Sequence, residues 1–146
     1  MATLSPYLVF DGKCEEAFTF YKSVFGGEFP YIGKYKDIPP TEGAPAVKEA
    51  DREKIMHVSL PISKETSLMG SDNCEASGQP TIVGNNFSVS INADSREEAD
   101  KLFNGLSKGG KVTQPMNNTF WGAYFGMLVD KFDINWMINF DETPKQ

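Results

Sequence analysis

One histidine, two cysteines and no apolar run long enough to cross a bilayer are what this chain has to offer three common classes of protein. A single imidazole, His57, cannot build a site that needs several. Cys14 and Cys74 are too few for a disulfide framework. No stretch approaches the roughly 18 apolar residues of a membrane span. The N-terminus lacks a basic region followed by an apolar run, so the expected compartment is the cytoplasm. Lys and Arg together number 14 against 20 Asp and Glu, a formal charge of −6. No basic cluster could neutralise several phosphates, which argues against a nucleic-acid partner.

What is present is a repeat. Of 146 residues 40% are hydrophobic and 11 are Phe, enough for one domain with a real core. Glu15-Glu16-Ala17 recurs as Glu97-Glu98-Ala99 at a spacing of 82, and at that spacing Phe20, Tyr21 and Val24 fall on Leu102, Phe103 and Leu106. Cys14, Ala17, Phe18, Tyr21, Val24 and Phe25 step with a helical period, as do Ala99, Leu102, Phe103 and Leu106. Ser95 and Glu98 form a capping box for the second helix, and Gly26-Gly27 and Gly109-Gly110 supply helix stops. Glu15-Glu16 and Glu97-Glu98 are first-turn residues favoured by the helix dipole, not acid/base pairs.

Strand-like runs flank each helix. Pro6 to Phe10 precedes the first, and Glu28–Lys36, Ile55–Pro61 and Thr66–Gly70 follow it. Residues 37–54 are either a lid or a surface insertion. Residues 71–85 read as a linker, after which Phe87, Val89 and Ile91 alternate with Ser88, Ser90 and Asn92. Lys111–Met116, Gly122–Val129 and Ile134–Phe140 are the strands after the second helix. The expectation is a single α+β domain, residues 1–146, made of two tandem βαβββ modules. Module 1 covers about 1–72, the linker about 73–84 and module 2 about 85–146.

A doubled βαβββ unit resembles the vicinal oxygen chelate superfamily of glyoxalase I, ring-cleaving dioxygenases and bleomycin-resistance proteins. Within it the chain is similar to the PhnB-like branch. The residues that carry this are Tyr7-Leu8-Val9-Phe10-Asp11-Gly12, Phe20-Tyr21-Lys22, Val24-Phe25-Gly26-Gly27, Gly84-Asn85-Asn86 and Gly109-Gly110-Lys111-Val112. Most specific are Phe120-Trp121-Gly122, Phe125-Gly126-Met127, Asp130 and Trp136-Met137-Ile138. Asp133 stands where the branch usually has Gly in a turn, and Asp tolerates positive φ better than most residues.

The resemblance implies curved mixed sheets forming a cup, and two chains pairing as a homodimer. It also implies metal-ligand positions, which fall at Pro6, about Met69, Asn86 and Met137. Pro cannot ligate, Met is soft and a lone Asn carbonyl is weak, so no divalent cation and no cofactor is expected. Alternation from Asn86 and Met137 gives a cavity lined by Met69, Asn86, Ser88, Met137 and Asn139, with Trp121 at its rim. Such a neutral lining suits a small organic molecule.

Each reactive candidate has a plainer reading. His57, with Met56, Val58 and Leu60 on the other face, is a general-base candidate or a strand residue with one hydrogen bond. Cys74 is a reactive thiol or an inert one, and Cys14 a buried small hydrophobe. Asp130 fits a turn-bonding carboxylate, and the two Trp fit a ligand wall or the core. Binding of a small molecule is the preferred function, a metal-independent isomerase or lyase using His57 the alternative. Some PhnB-like chains carry a ubiquinone-methyltransferase label, but no Gly-rich strand-turn-helix for a nucleotide-bearing cofactor is present.

Overall fold

A computed structural model of the chain describes residues 2–39, 47–74 and 78–142. It divides into two units, Met1–Ile82 and Val83–Gln146. In the first, β1 (Tyr7–Phe10) leads to helix α1 (Cys14–Phe25), then to β2 (Tyr31–Lys34), β3 (Ile55–Pro61) and β4 (Ser67–Asp72). The sheet order is β1-β4-β3-β2, with β1 parallel to β4 and the other pairs antiparallel.

The second unit repeats the plan. β5 (Val89–Asn92) leads to helix α2 (Arg96–Ser107), β6 (Lys111–Asn118), β7 (Ala123–Val129) and β8 (Asn135–Asp141). The order is β5-β8-β7-β6, again with one parallel pair at the edge. Each unit is thus a βαβββ module with a four-stranded mixed sheet, and the fold is α+β.

Each helix lays its apolar stripe on one sheet face. Cys14, Ala17, Phe18 and Tyr21 are fully buried and meet β3 and β4. Ala99, Leu102, Phe103 and Leu106 pack on β6, β7 and β8. The sheet residues beneath are Leu8, Phe10, Val58, Leu60 and Leu68 in unit one, and Tyr124, Leu128, Trp136 and Ile138 in unit two. An aromatic ring of each helix comes down on a glycine. A Cβ on Gly70 would lie 2.7 Å from both the Leu8 carbonyl oxygen and Phe18 Cε1, and one on Gly126 2.9 Å from Phe103 Cε2. Backbone cannot retreat as a side chain can. Gly70→Ala is therefore expected to lower stability by about 1–3 kcal/mol, the range for overpacking, seen as a lower urea midpoint at unchanged slope.

Two buried aspartates fasten the strand ends. Asp72, at the end of β4, accepts from the backbone N–H of Cys14 (Oδ1, 2.9 Å) and of Ile55 (Oδ2, 2.9 Å). It thereby joins β4, the first residue of α1 and the start of β3. Asp130, in the β7–β8 turn, accepts from the N–H groups of Phe132 (2.7 Å) and Ile134 (3.1 Å) and from Trp136 Nε1 (2.7 Å). Asp133 in that turn has φ 69°, the left-handed conformation expected of a position the branch gives to Gly.

Several local expectations change. β2 is shorter than Glu28–Lys36, because Tyr35–Asp37 winds into a 3-10 turn. β6 runs on to Asn118, and the turn tightens to Thr119–Gly122, closed by Gly122 N–H to the Thr119 carbonyl (3.3 Å). β5 begins at Val89, so Phe87 does not pack under α2; it is 68% exposed. The register between β2 and β3 shifts at Gly33/Lys34, which puts Ile55 rather than Met56 in the core with Val58 and Leu60. Ser95 caps α2 through the Glu98 N–H, but Glu98 reaches back to the Asp94 N–H, one residue beyond the expected box.

Of the 37–54 segment, residues 40–46 lie outside the described residues, as do 75–77 of the expected linker. The flanks of the former are clasped. Glu53 pairs with Lys36 (2.9 Å) and Lys34 (3.0 Å), which hold its carboxyl below the usual range, and Glu53 in turn raises Lys34.

Candidate functional site

In a sheet, directly paired residues share a face, so strand register decides what stands opposite each helix. In unit one the row away from α1 reads Tyr7, Met69, Ser59, Tyr31 across β1, β4, β3 and β2. His57 stands on the same face two residues before Ser59, opposite Gly33. Tyr7 Oη lies 3.4 Å from His57 Nδ1, with the ring centroids 5.7 Å apart, and the Tyr31 ring lies 5.9 Å from His57 on the other side. Val9 and Ser71, paired with each other, complete this face.

In unit two, two full rows stand away from α2, with Asn135, Val129 and Lys111 beyond the first and Asp141 and Ala123 beyond the second. One reads Ser90, Met137, Met127, Gln114 and the other Asn92, Asn139, Phe125, Asn117. Asn139 Nδ2 donates to Asn92 Oδ1 and to Asp141 Oδ1, both at 3.2 Å. Trp121, in the β6–β7 turn, makes edge-on contacts with Phe120 (5.0 Å) and Phe125 (6.3 Å) and is 59% exposed.

The expected cavity residues are placed unequally by this register. Met137 and Asn139 stand on the open face of β8, and Trp121 reaches that face through Phe125. Asn86 and Ser88 precede β5, so the alternation expected from Asn86 becomes regular strand only at Ser90. Met69 belongs to unit one, on the open face of β4 beside Tyr7 and Ser59. Pro6 precedes β1 and falls in the opposite phase to Tyr7, the residue that pairs with Met69. Tyr7, Tyr31, Asn92, Phe125 and Met127 are not among the site residues expected from sequence. Their signal was the register, which a single strand read alone does not carry.

The donor set can be tested against a divalent cation. Register places a phenol, a hydroxyl and two thioethers (Tyr7, Ser90, Met69, Met137) at the first and last strands of the modules. Hard cations take carboxylate and water, and Zn or Ni takes imidazole or thiolate. The set fits neither. Among the described residues no three His, Cys, Asp or Glu side chains gather where a metal could be held.

A helix N-terminus is one place where the phosphates of a cofactor dock. At α1 the N–H of Cys14 already meets Asp72, and at α2 the N–H of Glu98 meets Ser95 while Glu98 accepts from the Asp94 N–H.

A cleft of about 350 Å³ also opens beyond the C-terminal ends of β1 and β4, lined by Asp11, Lys54, Asn73, Cys74, Gln79 and Thr81. The Tyr35 phenol there donates to the Asp72 carbonyl (2.8 Å), and burial together with a hydrogen bond to Cys74 pushes its pKa up. Cys14 is inaccessible, and burial, then Asp72 and Glu15, push its thiol up. A disulfide reagent is expected to label Cys74 in the native protein and Cys14 only on unfolding. Equal native labelling of both would contradict the packing of α1.

No helix among the described residues is long and apolar enough to cross a membrane. Residues 2–139 match the family model described as 3-demethylubiquinone-9 3-methyltransferase. Protein YjdN of Escherichia coli (strain K12) is 30% identical over 141 residues, 93% of each chain. The crystal structure of protein PA1353 from Pseudomonas aeruginosa is 38% identical, covers 98% of this chain and 100% of its own, and superposes with a TM-score of 0.81. A glyoxalase/bleomycin resistance protein/dioxygenase family enzyme from Burkholderia phytofirmans, 17% identical, shares the fold over 96% of this chain and 99% of its own (TM-score 0.61). Matched over almost its whole length by that family model and by relatives of the same size, the chain belongs to the family described as 3-demethylubiquinone-9 3-methyltransferase, and it has the fold of glyoxalase/bleomycin-resistance/dioxygenase proteins.

Proposed function

We propose that this protein binds a small organic molecule on the open faces of its sheets without a metal or cofactor, as a cytoplasmic homodimer. The supporting observation is the character of those faces. Tyr7, His57, Ser59, Tyr31 and Met69 in one unit and Ser90, Asn92, Phe125, Met127, Met137 and Asn139 in the other are aromatic, thioether, hydroxyl and amide groups; the charged residues on the second face, Lys111 and Asp141, stand at its two margins, with Asp141 accepting from Asn139. Neutral groups of this kind hold a ligand by shape and a few hydrogen bonds. Asn86, Ser88 and Trp121 belong to the proposed ligand surface as its border. The methyl transfer in the family description draws no support from the sequence, which has no Gly-rich strand-turn-helix for a nucleotide-bearing cofactor.

One observation favours a second reading, a metal-independent isomerase or lyase. Tyr7 Oη meets His57 Nδ1 at 3.4 Å, a contact that orients the imidazole as an acid/base whose free nitrogen is set by the ring tautomer. His57→Ala separates the two. Binding alone is expected to weaken a screened ligand by no more than about 3- to 10-fold, the weight of one aromatic ring at the face, with no turnover to lose. Loss of a turnover while affinity persists would establish the enzyme. For the homodimer the check is sedimentation: a mass of two chains is expected, and a concentration-independent single-chain mass would defeat it.

A further inference from the structure

We infer that the open face of unit one is a stacking platform for a flat, uncharged aromatic ring, an inference that rests on the proposed binding function and names the ligand class for one of its faces. The first observation is Gly33. It is buried although it lies on the edge strand β2, and a Cβ placed on it would fall 2.5 Å from Tyr31 Oη, 3.0 Å from Cζ and 3.2 Å from Cε1. Tyr31 and Gly33 are two residues apart on one strand and so share a face. The Tyr31 ring therefore lies along the strand with its phenol end over the glycine, instead of standing up from the sheet. A ring laid down in this way turns a face outward, and Tyr31 is 48% exposed.

The neighbouring rings extend the surface. His57, opposite Gly33, lies between the Tyr31 and Tyr7 rings with interplanar angles of 39° and 32°, and Tyr7 is 46% exposed. Three rings at shallow tilt form a shallow trough wide enough for a planar guest, and offset stacking is the geometry such rings favour. Charge selects among planar guests. Tyr7, Val9, Tyr31, Gly33, His57, Ser59, Met69 and Ser71 carry no Asp, Glu, Lys or Arg, so nothing on this face compensates a charged one. The matching rows of unit two end in Ser90, Asn92, Gln114 and Asn117 where unit one has Tyr7 and Tyr31, and the ring they do carry, Phe125, meets Trp121 edge-on at 61°. The duplicated faces have thus diverged, and the first is the one that lays its rings at shallow tilt.

The test uses 2-naphthol and its saturated analogue decahydro-2-naphthol, with the ring C–H signals of His57, the one histidine of the chain, as the NMR reporter. Titration with 2-naphthol is expected to shift the His57 signals upfield to saturation, with the saturated analogue binding at least several-fold more weakly. Tyr31→Leu is expected to weaken 2-naphthol about 3- to 10-fold, the weight of one aromatic pair. Gly33→Ala should do the same without removing a ring, because its Cβ displaces only the free end of the Tyr31 side chain. Equal binding of the saturated analogue would overturn the inference and leave a cavity that selects by shape, with the proposed function intact. An unmoved His57 signal on titration with 2-naphthol, or native affinity in both variants, would also overturn it. Failure of the broader function has a different signature, namely that no compound of any class stabilises the protein.

Discussion

Asp72→Ala is expected to destabilise the protein by about 2–5 kcal/mol, since it leaves two buried N–H donors unpaired at roughly 1–3 kcal/mol each. The carboxylate is 2% exposed and divides its oxygens between Cys14 N–H and Ile55 N–H, at the points where α1 and β3 begin. Water cannot replace it there without opening the core. Against a total stability of the usual 5–15 kcal/mol, the loss is a large share. Asp72→Asn should recover part of it, because the amide oxygen serves one donor while the amide nitrogen faces the other. Urea unfolding gives the ranking, native above Asn above Ala, and amide exchange at Cys14 and Ile55 should quicken in the same order. An Asp72→Ala protein within 0.5 kcal/mol of native, the spread of ordinary surface changes, would mean that the buckle is dispensable.

The second large effect lies in the other unit. Asp130 is 2% exposed and accepts three hydrogen bonds, two from its own turn and one from the indole of Trp136, itself 1% exposed. Asp130→Ala is expected to lower stability by about 3–5 kcal/mol, as for a buried polar network broken on one side. Part of that loss is the stranded indole N–H, which Trp136→Phe removes. The double variant should therefore be more stable than the sum of the two single losses implies, with a coupling of about 1–2 kcal/mol. Strict additivity would show that the indole contact carries no energy, and the turn alone would then account for the aspartate.

The order of elements was legible because each helix announces itself twice. The Glu-Glu-Ala starts, the 3.6-residue stripes and the Gly-Gly stops are local signals, and local signals survive in a single sequence. Both helices and all eight strands fall where those signals put them, within a few residues. The misplaced ends have nonlocal causes. Phe87 continues the alternation of Val89 and Ile91, yet β5 pairs with β8 only from Val89 onward, and a lone strand cannot reveal where its partner ends. Met56 looked like a core residue by strict period-two counting, and the shifted register beside Gly33 gave its place to Ile55.

The candidate site was legible by composition more than by position. One histidine and scattered cysteines argued against a metal before any strand was placed, whereas the ring cluster on unit one depends on pairing across four strands. Tyr7 and Tyr31 are 24 residues apart and become neighbours of His57 only through β3 and β4. Gly33 inside the strand run Glu28–Lys36 is consistent with a bulge, and the register does shift next to it. Its closeness to the Tyr31 ring could not be seen from the strand pattern, because that depends on a side-chain direction.

The central claim is that the ligand is held by uncharged side chains and not through a cation. Its most direct test is a thermal-shift screen of the chelator-treated protein against neutral small molecules, repeated after adding Mg, Ni or Zn. A binding compound at 100 times its dissociation constant stabilises the folded state by about 2.7 kcal/mol, which raises the melting temperature by several degrees. The expected result is the same rise with and without metal. A compound that stabilises the protein only once a divalent ion has been restored would contradict the claim.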